Sequence, residues 1–199
     1  VQSLDGNGLT IGSSYNNNFT GLTSLGNAFV DVYFYGAPNT ANHFIDSRIA
    51  GYQLDSFSNI TFINSSYGEI KFYNGINGIG SDLVGGSSSD IRIGNNSVYV
   101  NSAQTGINKT ANVTLYNIGN RGYTRPSILR DGATCSNCYN FTSLNATNVT
   151  FNITSWSNYS IGNYTDIISP KISFVSPTPP NGSSSDASTI GWMAGREDW

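Results

Sequence analysis

Charge is scarce in this chain: Asp, Glu, Lys and Arg make up 11% of its 199 residues, against about 25% in ordinary soluble domains. Its nine Lys and Arg are scattered singly and the net charge is −3. A nucleic-acid partner needs a basic stripe, so that class is excluded. There is one histidine, His43, and two cysteines, Cys135 and Cys138; a zinc site would want four ligands. No apolar run approaches the ~18–20 residues of a membrane-spanning helix, so no membrane span is expected. Val1 does not open a signal peptide, and the expectation is a leader already removed or a sequence that starts with the mature chain.

Catalytic signatures are equally thin. No GxSxG elbow is present, and Asp46 and Ser47 follow His43 as expected by chance in so Ser-rich a chain. Paired carboxylates for glycoside cleavage would come from Asp31, Asp46, Asp55 and Glu69. Calcium would fall to Asp82 and Asp90, without the D-x-[DN]-x-[DN]-G pattern of an EF-hand loop. The expectation is a protein that is not an enzyme and has no metal site and no cofactor.

What is abundant is Asn, Ser, Thr, Gly and aromatics, with 12 Tyr and 10 Phe. Such a mixture favours sheet over helix. Residues 27–35, NAFVDVYFY, 91–100, IRIGNNSVYV, and 112–116, NVTLY, read as strands, and Gly85–Ser89 as a flexible loop. A weak internal repeat places residues 42–54 on 60–72, with Phe44 on Phe62, Ile45 on Ile63 and Asp46 on Asn64. Stacked coils of a parallel β-solenoid explain that period, and so does an antiparallel meander of equal hairpins. The fold class is therefore all-β: a β-solenoid-like or β-sandwich body over 1–105, a second small β-domain over 106–167, and an extended strand, Pro-rich linker and tail over 168–199.

The densest signal lies in residues 140–165, NFTSLNATNVTFNITSWSNYSIGNYT. Val149, Phe151 and Ile153 alternate there with polar residues, the pattern of a half-buried strand. Six Asn-x-Ser/Thr triplets fall in it, at Asn140, Asn145, Asn148, Asn152, Asn158 and Asn163. Seven more stand at Asn18, Asn59, Asn64, Asn95, Asn108, Asn112 and Asn181. Composition alone, with 26 Asn and 45 Ser and Thr in 199 residues, sets a chance expectation of about six such triplets. The excess points to covalent N-linked glycans at several of the thirteen, with an Asn/Thr-rich β-protein as the plain alternative.

Cys135 and Cys138 form CSNC. A redox pair would want a strand-to-helix setting that the flanks do not supply. A small disulfide closing a turn in an oxidising exterior, or two free structural thiols, are the readings left. Arg121, Arg125 and Arg130 make the largest positive cluster, placed on a loop with Pro126. Beyond residue 168, Lys171, Ile172, Ser173, Phe174 and Val175 form a strand candidate with no sheet of its own, followed by Ser-Pro-Thr-Pro-Pro-Asn-Gly.

The segments SNITFINSSYGEIKFYN, GNNSVYVNS, GINKTANVTLYNIG, RDGATCSNCYNFT and VTFNITSWSNYSIG together resemble secreted archaeal-type surface proteins. In that family a right-handed β-solenoid is followed by small Ig-like modules. The resemblance covers residues 42–162. It implies an extracellular, cell-surface structural protein, and KISFVSPTPPNGS looks like the first strand of a further module whose remainder is absent. Such a strand suits donation to the sheet of another copy, giving a pilus-like fibre subunit that assembles head-to-tail. A carbohydrate-binding or adhesive module is the alternative, and a polysaccharide-degrading solenoid enzyme is a more distant one.

Overall fold

The computed structural model describes residues 6–36, 39–57 and 59–164. The chain divides into two compact units, Val1–Thr165 and Asp166–Trp199. The second unit, with the strand candidate Lys171–Val175 and the sequon Asn181, lies outside the described residues. The first unit is all-β; among the described residues it has one short 3-10 turn and no α-helix.

Its N-terminal part is a stack of parallel coils. The first coil holds β1 (Leu9–Gly12), β2 (Asn18–Thr20) and β3 (Thr23–Ser24). The second holds β4 (Val32–Tyr35), β5 (His43–Ile45) and β6 (Arg48–Ile49). The third begins with β7 (Tyr52–Phe57) and β8 (Thr61–Asn64). Corresponding strands pair in parallel from coil to coil. Phe19, Phe44 and Phe62 stand in one register, and their rings stack at 4.9 and 5.6 Å. Ile11, Phe34 and Leu54 form a second inward column. Between the solenoid and the meander, the coils follow the solenoid pattern.

Polar residues turn the corners. Buried Asn39 accepts from the Ser14 amide at 2.8 Å and donates to the Gly36 carbonyl at 2.6 Å. Asn42 accepts from the Asn17 amide and side chain at 3.2 and 3.0 Å, and donates to the Ser14 carbonyl at 3.1 Å. Among the described residues, six of the eight non-glycine residues with positive φ are Asn or Asp, the types that enter the left-handed region most cheaply. The strand expected over 27–35 is confined to β4. Asp31 accepts from the Gly51 amide at 2.6 Å and the Asn27 amide at 3.1 Å, so the preceding segment is a corner rather than a strand.

The stack ends at residue 64. There β8 turns back into β9 (Gly68–Phe72) as an antiparallel hairpin, and Gly68 adopts φ +153 at a point where a Cβ would strike the Thr114 carbonyl. The repeat therefore holds only in its first half. Phe44 and Phe62 are equivalent, whereas Tyr52 lies in β7, paired with β4, and Ile70 lies in β9, paired with β8.

The remaining strands are β10 (Ile76–Gly80), β11 (Ile91–Gly94), β12 (Ser97–Val100), β13 (Ala111–Leu115), β14 (Pro126–Arg130), β15 (Ala133–Thr134), β16 (Tyr139–Asn140), β17 (Val149–Ile153) and β18 (Asn158–Asn163). Two larger sheets result, in the orders β16-β17-β13-β9-β8-β5-β2 and β11-β12-β18-β14-β15. Strand pairing runs across residue 105, through β9 with β13 and β12 with β18, so the boundary expected there does not interrupt either sheet. Ile70, Phe72, Val113, Leu115, Val149, Phe151 and Ile153 alternate inward, and Val98, Val100, Tyr159 and Ile161 are buried on the other sheet. Trp156, 1% exposed, packs against Phe72 and Tyr159 at 5.8 and 6.2 Å and donates its Nε1–H to the Lys109 carbonyl at 2.7 Å.

Candidate functional site

The acids first considered for chemistry are all engaged in structure. Asp46, in the left-handed region at φ 49, accepts from the Ser65 amide at 2.8 Å and its hydroxyl at 2.7 Å. Those bonds, the amide's first, hold its carboxyl below the usual range. Asp55 accepts from the Tyr33 hydroxyl at 3.1 Å, and Glu69 from the Thr114 hydroxyl at 3.2 Å. Ser47 donates to the carbonyls of Phe19 and Ile45, so neither it nor Asp46 is hydrogen-bonded to His43. Asp82 is clamped by Arg48 at 2.8 and 3.1 Å. Asp90 accepts from the Tyr52 hydroxyl at 2.8 Å and Asn101 at 2.7 Å. Burial, then the bond to Asp90, keeps the Tyr52 phenol protonated well above its ordinary range. Among the described residues no group of three or more His, Cys, Asp and Glu could hold a metal ion.

The Gly85–Ser89 tract is tied down rather than loose: Ser89 is buried, donates to Asp82 and accepts from the Gly86 amide at 2.7 Å. The three arginines do not act together. Arg121 donates to Asn95, Arg125 lies 5.0 Å from the Tyr164 ring and Arg130 lies 5.8 Å from the Tyr159 ring. Pro126 and Arg130 bound strand β14, where a loop was expected, because the segment completes the five-stranded sheet beside β18.

Cys135 and Cys138 are disulfide-bonded, with Cα atoms 5.6 Å apart. The bridge staples the turn between β15 and β16, beside the exposed rings of Tyr139 and Phe141, which pack edge-on at 5.2 Å.

The sequon asparagines fall into two groups. Asn18, Asn95, Asn140, Asn145, Asn148, Asn158 and Asn163 are exposed. Asn59, Asn64, Asn108, Asn112 and Asn152 are half-buried, and several have the amide nitrogen in use. Asn152 donates to Asn112 at 3.0 Å and to the Ala111 carbonyl at 3.2 Å. Asn112 donates to the Tyr73 hydroxyl at 2.8 Å, and Asn108 donates to the Ser102 carbonyl and accepts from the Trp156 amide. No described sequon Asn is buried, while the two buried asparagines, Asn39 and Asn42, lie outside sequons. Residues 140–164 do not form one strand: β16 is the edge of the seven-stranded sheet with β17 beside it, and β18 sits inside the five-stranded one, so their sequons lie on two sheets.

Sequence reasoning passed over a groove of about 580 Å³ lined by Asn64, Arg92, Tyr99 and Asn158 among others. The Arg92 guanidinium lies 3.8 Å from the centre of the Tyr99 ring. Arg92 and Tyr99 lie opposite each other in the β11–β12 hairpin, and their alternation with the apolar Ile91, Ile93, Val98 and Val100 was the available signal.

No family model, curated protein or solved structure matches this chain.

Proposed function

We propose that the chain is a structural subunit of an extracellular, N-glycosylated surface fibre or surface layer that assembles head-to-tail by strand exchange with copies of itself. The observation that carries this reading is the sequon excess combined with its placement: seven described acceptors are exposed and none is buried. A chain with 11% charged residues gains from sugar the hydrophilic cover that most surfaces take from charge. The disulfide fits an oxidising exterior, and no helix of the described residues is long and apolar enough to cross a membrane.

Intact mass before and after removal of N-linked sugar, with peptide mapping, tests the coat. Occupancy is expected at the exposed set, Asn140, Asn145, Asn148, Asn158 and Asn163 foremost, and lowest at Asn112 and Asn152. A native chain of unmodified mass would overturn the reading. The groove beside Arg92 and Tyr99 supports a second function, binding of a carbohydrate whose ring packs near an aromatic–cation pair. Saturable retention on a polysaccharide, lost in Tyr99→Ala, would favour it.

A further inference from the structure

Among the described residues the coil stack is capped at one end, and at the other β2 is the last strand of its sheet. At residue 64 the chain turns back and β9 covers β8. At the opposite end β1 and β2 each pair with a single strand among the described residues. The aromatic column shows the same asymmetry: Phe62 and Phe44 are 0 and 1% exposed, whereas Phe19 is only partly buried. Leu9 and Leu22 of this coil are partly buried too, and the first-coil residues Tyr15 and Leu25 are exposed. An edge strand such as β2 over a half-covered aromatic is a template for one more strand.

The three rungs share a pattern. Each has a polar residue, an inward Phe and a β-branched residue: Asn18-Phe19-Thr20, His43-Phe44-Ile45 and Thr61-Phe62-Ile63. Ser173-Phe174-Val175 repeats it. We propose that β2 accepts this segment from a second copy of the chain as a fourth parallel rung. Ser173 then pairs with Asn18, Phe174 stacks on Phe19 and Val175 lies opposite Thr20. The proposal rests on the head-to-tail fibre reading and supplies its acceptor.

The donor segment lies among the 35 residues that follow Tyr164, and the head-to-tail reading assigns it to a second copy. Side chains stand perpendicular to a sheet, so sugar on Asn18 leaves the β2 edge open. The resulting contact is heterologous and propagates as an open filament.

The test is a cross-link between two differently tagged full-length copies, one Thr20→Cys and the other Val175→Cys. Directly paired strand positions fall within disulfide reach. Mild oxidation of the mixture is expected to give a dimer carrying both tags. Adding Phe174→Asp to the donor copy, or an excess of a KISFVSP peptide, is expected to reduce that dimer at least tenfold, and a KISDVSP peptide to leave it. Filaments or oligomers without this cross-link would overturn the acceptor and leave the fibre reading standing. Absence of any self-association would remove both. In a chain carrying both cysteines, a bridge formed only within the chain would replace the second copy with self-closure.

Discussion

The parallel coils and the antiparallel sandwich are written in the same residues and use them differently. In the coils, Asn39, Asn42, Asp31 and Asp46 turn inward or sideways and hold corners through backbone hydrogen bonds. In the sandwich most Asn side chains lie on the outside, and nine of the described sequons fall there against three in the coils. The difference follows from connection length. A coil must turn repeatedly without leaving its column, so corner amides need partners from the neighbouring coil. A hairpin satisfies its own backbone, and its polar face is free to meet solvent or sugar.

Truncations in the two hydrophobic columns set the largest contrast. Phe44→Ala and Trp156→Ala each empty a fully packed site and are expected to cost about 3–5 kcal/mol in urea unfolding. Phe19→Ala, at the half-covered end of the same column, should cost clearly less. Equal losses at Phe19 and Phe44 would mean that the first coil is already covered in the isolated chain.

Removing the Asp31 carboxylate by Asp31→Ala leaves the half-buried Gly51 amide without its partner, at an expected cost of about 1 kcal/mol. The disulfide is of similar weight. Chain entropy for so short a loop gives at most ~2 kcal/mol, so Cys135→Ser with Cys138→Ser should lower the urea midpoint modestly while the coils' circular dichroism is unchanged.

The smallest effect is with pH. Asp46 and Asp131 are both held below the ordinary carboxylate range, the first mainly by the Ser65 amide and the second mainly by the Ser157 hydroxyl. A depressed folded-state pKa contributes stability that is present above the unfolded value and is lost as pH falls through the folded one. Stability should therefore decline below about pH 4, and Asp46→Asn with Asp131→Asn should flatten that decline. Both carboxylates are nearly fully exposed, so solvent screening keeps the effect small.

Much of the sandwich was legible in the sequence. Val149, Phe151 and Ile153 alternate because one face of β17 is buried, and period two survives any tertiary context that keeps a sheet half covered. The coils were half legible. The match of Phe44 with Phe62 is a true register, but the match of Tyr52 with Ile70 joined strands from different environments. The turn-rich first segment hid β1 to β3, because strands of two to four residues are too short for a periodic signal. The site was legible as chemistry and not as access. Asn112 and Asn152 satisfy the triplet rule as fully as Asn148, yet only the pairing of β13 with β17 ties their amides together.

The sequence by itself determined the strand alphabet, the sequon excess and the Cys spacing that permits a bridge. Those properties are local and depend on residue type and near neighbours. Tertiary structure alone decided which asparagines are corners and which are exposed, and where the coil stack stops. Each of those outcomes depends on which strand lies beside which, and backbone hydrogen bonding between strands is nearly indifferent to the side chains that a linear reading sees.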